Sequence, residues 1–166
     1  MNRRAARLDP EQARQRLAVA VGHLQRGQLE QGSALLDQLL DAYPDEPSTL
    51  QLAGAVALQR GRRADAIRLI GRALQFNPRL VDAHSNIALA YLGEGRSDDA
   101  ERHLSRALAL RPDFPEAQVN LANLYRERSE LLRAEPLYRR ALALRPAFPE
   151  ADNNLALVLN DTGRPL

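Results

Sequence analysis

The sequence predicts an all-α chain: a solenoid of stacked antiparallel helix pairs, with four full repeats and a partial fifth. Three observations predict it. Residues 81–114 and 115–148 agree at 14 of 34 places, and the block Arg106-Ala-Leu-Ala-Leu-Arg-Pro112 returns whole as Arg140–Pro146. Prolines recur at 44, 78, 112 and 146, each 34 residues apart. Small residues recur in two columns, Ala20, Gly54, Ala88, Ala122 and Ala156 in one and Gly32, Ala66, Ala100 and Ala134 in the other. Self-similarity at a period of 20–50 residues marks a stacked-repeat architecture, in which each unit buries its apolar face against the next.

The frame divides the chain into an N-terminal arm at 1–12, repeats at 13–46, 47–80, 81–114 and 115–148, and a partial repeat at 149–166. Asp9-Pro10-Glu11 reads as a helix start, with an acceptor for the N-cap, a proline whose missing N–H is harmless there, and an acid near the positive helix end. The first helix is expected from Pro10 to Arg26, ended by Gly27 in a left-handed conformation. Gly61, Gly95 and Gly163 hold the same place in later repeats, whereas Ser129 is expected to widen its turn. Each second helix is expected to end just before its proline, which biases the preceding residue away from helical geometry. Pro136 falls inside a helix, so a kink or a late start is expected there. Nine helices of about 12–16 residues result, within the usual range. The small columns bring paired helices to the short end of the 8–10 Å interaxial range. Larger fillers surround each contact: Ile87, Tyr91, Leu104 and Leu108, then Leu121, Tyr125, Tyr138 and Leu142.

These residues resemble the tetratricopeptide repeat family, a 34-residue unit with small residues at its eighth and twentieth positions, an aromatic at the eleventh and proline at the thirty-second. The resemblance is loosest early, where His23 and Ala57 stand in place of Tyr91 and Tyr125. It implies a right-handed superhelix whose first helices line a concave groove. On that carry-over the N-terminal half of the groove is apolar, with Leu17, Val21, Leu24, Leu52, Ala55 and Leu58. The C-terminal half is amide-rich, with Asn86, Asn120, Asn123, Arg126, Asn153, Asn154 and Asn160 around Leu89 and Leu92.

Asn86, Asn120 and Asn154 share one repeat position. An asparagine amide offers one acceptor and two donors, matching the N–H and C=O of an extended peptide. Repeats about 10 Å apart against a chain advancing about 3.3 Å per residue let one asparagine hold every third residue. The row resembles the asparagine ladder in the repeat domains of O-linked N-acetylglucosamine transferases, whose wording is close to Ala83-His-Ser-Asn-Ile and Ala117-Gln-Val-Asn-Leu. The bland alternative is an exposed position copied when the repeats duplicated. A carboxylate clamp of the kind found in chaperone co-factors is rejected, because Asp82, Glu116 and Glu150 stand where cations are needed.

The expected function is a protein- or peptide-binding scaffold, with a peptide held by Asn86, Asn120, Asn154, Asn123, Arg126 and Asn153 and its apolar side chains docking near Leu52, Leu58 and Leu89. One alternative is the N-terminal, substrate-recruiting arm of a larger bacterial glycosyltransferase or sulfotransferase. It fits the expectation that the chain is cut from a longer protein, since Leu155, Ala156 and Leu159 have no partner helix in sequence. The other is an oligomerisation module, self-associating through Leu155 and Leu159 or through the Leu17, Val21 and Leu24 patch.

Composition closes other routes. Formal charge is +2, and all 23 basic residues are arginine, which reads as GC-rich coding. Seven aromatics, most at core positions, argue against stacked nucleic-acid recognition. His23, His84 and His103 sit at three different repeat positions with no HExxH pattern, and a chain without lysine has no phosphate loop. No catalytic set, metal or cofactor is therefore expected. The absence of cysteine fits a reducing compartment, no leader follows Arg3, Arg4 and Arg7, and no apolar run is long enough to span a bilayer. A cytoplasmic location is expected.

Overall fold

Asp9 caps the first helix by accepting from the Gln12 backbone N–H at 2.9 Å, and Pro10 follows at the first helical position. From there the computed structural model, which describes residues 9–163, is helical throughout. The elements are α1 (Pro10–Gln25), α2 (Leu29–Ala42), α3 (Pro47–Gln59), α4 (Arg63–Phe76), α5 (Val81–Gly93), α6 (Ser97–Leu110), α7 (Pro115–Glu127), α8 (Leu131–Leu144) and α9 (Pro149–Asp161). Among the described residues there are nine helices and no strand. The arm residues 1–8 and Arg164-Pro165-Leu166 lie outside them.

Each odd-numbered helix from α1 to α7 ends on the same closure. Residue 28 donates its N–H to the His23 carbonyl, Arg62 to Ala57, Arg96 to Tyr91 and Glu130 to Tyr125, at 2.8–2.9 Å. That bond spans five residues and requires a left-handed residue between. Gly95 supplies it at φ 71° in one turn, and Ser129 adopts φ 61° in another. The expected widening at Ser129 is therefore absent: the closing hydrogen bonds outweigh the cost of a left-handed serine, about 1–2 kcal/mol. Ser129→Gly is expected to raise stability by about 1 kcal/mol, read as a higher urea midpoint at unchanged slope.

Pro136 sits inside α8, which nevertheless begins on schedule at Leu131. A late start is ruled out. The carbonyl left without its helical partner belongs to Leu132, which is 77% exposed, so water can satisfy it. The third helix is capped by an unusual residue. Glu46 accepts from the backbone N–H groups of Ser48 at 3.2 Å and Thr49 at 2.5 Å.

The chain falls into two compact units, Met1–Asn86 and Ile87–Leu166. In the first, α1 packs on α2, α2 on α3 and α3 on α4. Ala20, Leu36 and Val56 form a buried cluster against which Leu17, Leu24, Leu35, Leu52 and Ala53 pack. This corrects the expected apolar patch: Leu17, Leu24 and Leu52 pack on the core, and Val21 is half-buried. The reason lies in the small column. A Cβ on Gly32 would lie 2.5 Å from Leu24 Cδ2, so Leu24 turns onto α2 where the glycine leaves room.

In the second unit α7 packs against α6, α8 and α9. Tyr138, Leu104, Leu124, Val119 and Val158 are buried at its centre, with Ala100, Ala122 and Ala134 fully enclosed. Leu155 and Leu159 are also buried, because α9 packs on both α7 and α8. They are corrected from candidates for self-association to core residues; Leu157 is the exposed leucine of that helix.

Ion pairs recur within each unit at an offset of 68. Arg60 reaches Glu30 at 2.7 Å as Arg128 reaches Asp98 at 2.5 Å, and Arg72 pairs with Asp45 as Arg140 does with Asp113.

Candidate functional site

The helical period brings Asn120, Asn123 and Arg126 to successive turns of α7, and α9 carries Glu150, Asn153 and Asn154 beside them. Asn154 Nδ2 donates to Asn123 Oδ1 at 2.8 Å, and Asn123 Nδ2 donates to Glu150 Oε1 at 2.9 Å. Tyr138, reaching up from α8, donates its hydroxyl to the same Asn123 Oδ1 at 2.6 Å. Arg126 hydrogen-bonds the Tyr138 oxygen, while its own Nε is enclosed without a partner. Burial raises the Tyr138 hydroxyl above its usual pKa, although Arg126 and Asn154 partly oppose this. Asn120 is half-buried and makes no side-chain hydrogen bond among the described residues.

Five of the residues expected at the site thus share one face of the second unit: Asn120, Asn123, Arg126 and Asn154, with the exposed Asn153 alongside. Leu89 belongs to this unit too and is 38% exposed. Asn86, Leu52 and Leu58 belong to the first unit, each half-buried, with Leu52 packed on the core. Chemically, the amide face offers donors and acceptors pre-oriented by one another and, among the described residues, an arginine without an acid partner. It can bind a polar backbone; it holds no nucleophile–base pair.

Sequence reading missed a polar cluster centred on Glu101. Glu101 on α6 accepts from Tyr125 Oη at 2.9 Å, Arg128 at 2.6 Å and Arg133 at 3.1 Å. Arg133 also lies over the Tyr125 ring, 3.8 Å from its centroid. The partners of Glu101 lie 24–32 residues away rather than on its own helix. The legible signal was an acid in a turn-facing column opposite a tyrosine. Burial pushes the Glu101 carboxyl up, yet hydrogen bonds from Tyr125, Arg128 and Arg133 outweigh it and hold the carboxyl below its usual range. Burial and the bond to Glu101 push the Tyr125 hydroxyl up to about 12.

These two shifts set how this cluster's contribution to stability depends on pH. Glu101 has a lowered folded pKa, so its contribution is present above the unfolded value and is lost as pH falls through the folded one. Tyr125 is raised from 10.0 to about 12, so its contribution is full below about pH 10 and is lost as pH rises toward 12. Urea unfolding across pH 9–12 is expected to show that alkaline decline in the native chain and a shallower one in Tyr125→Phe.

The histidines do not converge. His23 Nδ1 bonds Gln28 Oε1 at 2.7 Å, His103 stacks on Tyr91 at 5.6 Å, and His84 Nε2 bonds the Pro78 carbonyl at 3.1 Å. Gln118 repeats the last contact on Pro112 at 2.8 Å, so this column ties α5 and α7 to the turns before them. Among the described residues no three His, Cys, Asp or Glu side chains form a group able to hold a metal ion. No described helix is long and apolar enough to cross a membrane.

Comparison with solved structures places the architecture among known ones. MamA protein shares 20% identity with a TM-score of 0.77, over 91% of this chain and 82% of that one. TTC0263, a thermophilic TPR protein of Thermus thermophilus, shares 21% identity with a TM-score of 0.74, over 92% and 84%. The APC/C hetero-tetramer Cut9–Hcn1 shares 21% with a TM-score of 0.81, over 87% of this chain and 29% of that one. At these identities the likeness shows the fold. No curated protein matches the sequence. Two tetratricopeptide repeat family models match it, one at residues 57–124 and the other at 17–81 and 119–165. Repeats of this family generally mediate protein–protein interaction and are typically non-enzymatic. With the matched segments, the 34-residue frame and the paired helices in agreement, the chain belongs to the tetratricopeptide repeat family.

Proposed function

We propose that this chain is a protein-binding scaffold whose second unit holds an extended peptide segment by its backbone, through the amides of Asn120 and Asn154. The observation that carries this reading is the arrangement on α7 and α9. Asn154 is oriented by Asn123 at 2.8 Å and by the Tyr138 hydroxyl yet keeps its carbonyl oxygen, while Asn120, one repeat earlier, has its whole amide available. Groups oriented before binding lose less freedom on association, which favours affinity. Because amides read the backbone, the ligand's side chains are selected elsewhere, at Leu89 and Arg126. The resemblance to the asparagine row of O-linked N-acetylglucosamine transferases points the same way, and it makes the recruiting arm of a larger transferase the finer form of this reading.

The test is direct. A 12-residue peptide selected from a phage-displayed library on the native chain is titrated against Asn120→Ala/Asn154→Ala. At least tenfold weaker binding is expected, with the far-ultraviolet circular dichroism unchanged. Unaltered affinity removes the amides from the mechanism. A separate Asn86→Ala variant reads the contribution of that residue alone.

A further inference from the structure

The two units repeat one another at an offset of 68, and larger side chains in the second stand where several residues line a space in the first. In the first unit a cavity of about 390 Å³ lies among α2, α3 and α4, within the usual size range of ligand pockets. Its apolar wall includes Leu36, Leu50, Ala53 and Val56, and four arginines, Arg60, Arg62, Arg68 and Arg72, line it against two aspartates, Asp37 and Asp65. Sixty-eight residues on, Ala53, Val56 and Ala57 become Leu121, Leu124 and Tyr125, and Ser33 becomes Glu101. Every one of these counterparts is larger.

The second unit shows what occupies the equivalent place. There the Tyr125 hydroxyl meets Glu101 at 2.9 Å and Arg133 at 2.5 Å, and the counterparts of those two, Ser33 and Asp65, both line the cavity. Arg128 grips that arrangement by taking Asp98 with one nitrogen and Glu101 with another. Its counterpart Arg60 takes Glu30 at 2.7 Å but finds only the Ser33 hydroxyl, at 3.1 Å, where the second carboxylate would be. The first unit therefore keeps the cation and lacks both the phenol and the carboxylate.

We propose that this cavity receives an aromatic side chain with an adjacent carboxylate from a partner protein, the same pair of groups that the second unit supplies from its own chain. The apolar wall accepts the ring, and Arg60, which finds only the Ser33 hydroxyl where Arg128 finds a second carboxylate, favours an acidic segment. The pairs those arginines already make are partly exposed, Glu30 being 87% and Asp45 56% accessible, and such pairs exchange for an incoming carboxylate at little cost. Arg–carboxylate contacts and cation–π contacts to the incoming ring then act together. The site lies on other helices than the amide face, so it goes beyond the function proposed above.

The probe is a capped, fluorescein-labelled Glu-Glu-Tyr-Glu peptide, followed by anisotropy with the full chain. Saturable binding is expected below about 1 mM. Replacing the peptide tyrosine by alanine, or its glutamates by glutamine, is expected to weaken it at least tenfold. Ala53→Leu/Val56→Leu, which installs the side chains of the second unit, is expected to weaken it as much, with thermal stability kept or raised. Should that variant not fold, Arg60→Gln replaces it with the same expectation. Asn120→Ala/Asn154→Ala is expected to bind the probe normally, which separates this site from the amide face. Absence of saturation at 1 mM, equal affinity in the filled or Arg60→Gln variant, or loss of binding in the asparagine variant instead would overturn the proposal.

Discussion

Gly54→Ala is expected to destabilise the chain even though it puts the best helix former in place of a poor one. In a free helix the change favours folding by about 0.5–1 kcal/mol. At position 54 the added Cβ would lie 2.4 Å from Ile70 Cγ1 and 3.3 Å from the Ile70 backbone nitrogen. Overpacking a tight contact costs about 1–3 kcal/mol, so the clash wins. Gly22→Ala is the control. Its Cβ would meet only the tip of Arg26, at 3.5 Å, and stability is expected to rise by the propensity term alone. Ile70→Ala by itself is expected to cost about 2–5 kcal/mol. Combined with Gly54→Ala it is expected to cost less than the two added, a coupling of about 1 kcal/mol or more. Urea titrations of the four variants check this; a neutral Gly54→Ala would mean that α3 and α4 do not approach through this column.

Glu101→Ala is expected to lower stability by about 1–2 kcal/mol, against a change too small to resolve for Glu30→Ala. Both acids face an arginine at hydrogen-bonding distance, and the difference is in what surrounds them. Glu101 retains 24% of its side-chain exposure and serves Tyr125, Arg128 and Arg133 together. Removing it leaves the part-buried Tyr125 hydroxyl without its acceptor and the half-enclosed Arg128 guanidinium with Asp98 alone, which costs more than a lost surface pair. The value stays below that of a fully buried ion pair because water reaches part of the cluster. Glu101→Gln keeps one acceptor and is expected to fall between. Equal losses for Glu30→Ala and Glu101→Ala would show that the cluster adds nothing beyond its separate contacts.

Local chemistry and period were legible in the chain itself. The cap at Asp9, the turn glycines and the helix ends two residues before Pro44, Pro78, Pro112 and Pro146 all depend on groups within a few residues of one another. The family assignment was legible for the same reason, since a copied unit repeats its packing columns in order. Ser129 shows where composition misleads. A serine in the glycine column looks like a different turn, but hydrogen bonds at both ends of that turn hold it in the same one.

The candidate site was legible as a list of residues and not as a set of bonds. Asparagines at one repeat position marked the face, yet nothing in the spacing showed that Asn123, from another column, would orient Asn154. Equally, the leucines assigned to an open groove turned inward. Leu24 does so because Gly32 across the helix pair leaves it space; Leu155 and Leu159, expected to lack a partner helix, are buried because α9 has two earlier helices to lie on.

The sequence by itself therefore determined the repeat length, the described helices, their ends and the family. These rest on short-range sterics and hydrogen bonds that are complete within one 34-residue unit. Only the tertiary structure decided which polar groups meet and which copy of the repeat is full or hollow. Those outcomes depend on pairs of side chains 24–32 residues apart competing for the same volume. A single column of letters carries the volume of each side chain without the direction in which it points.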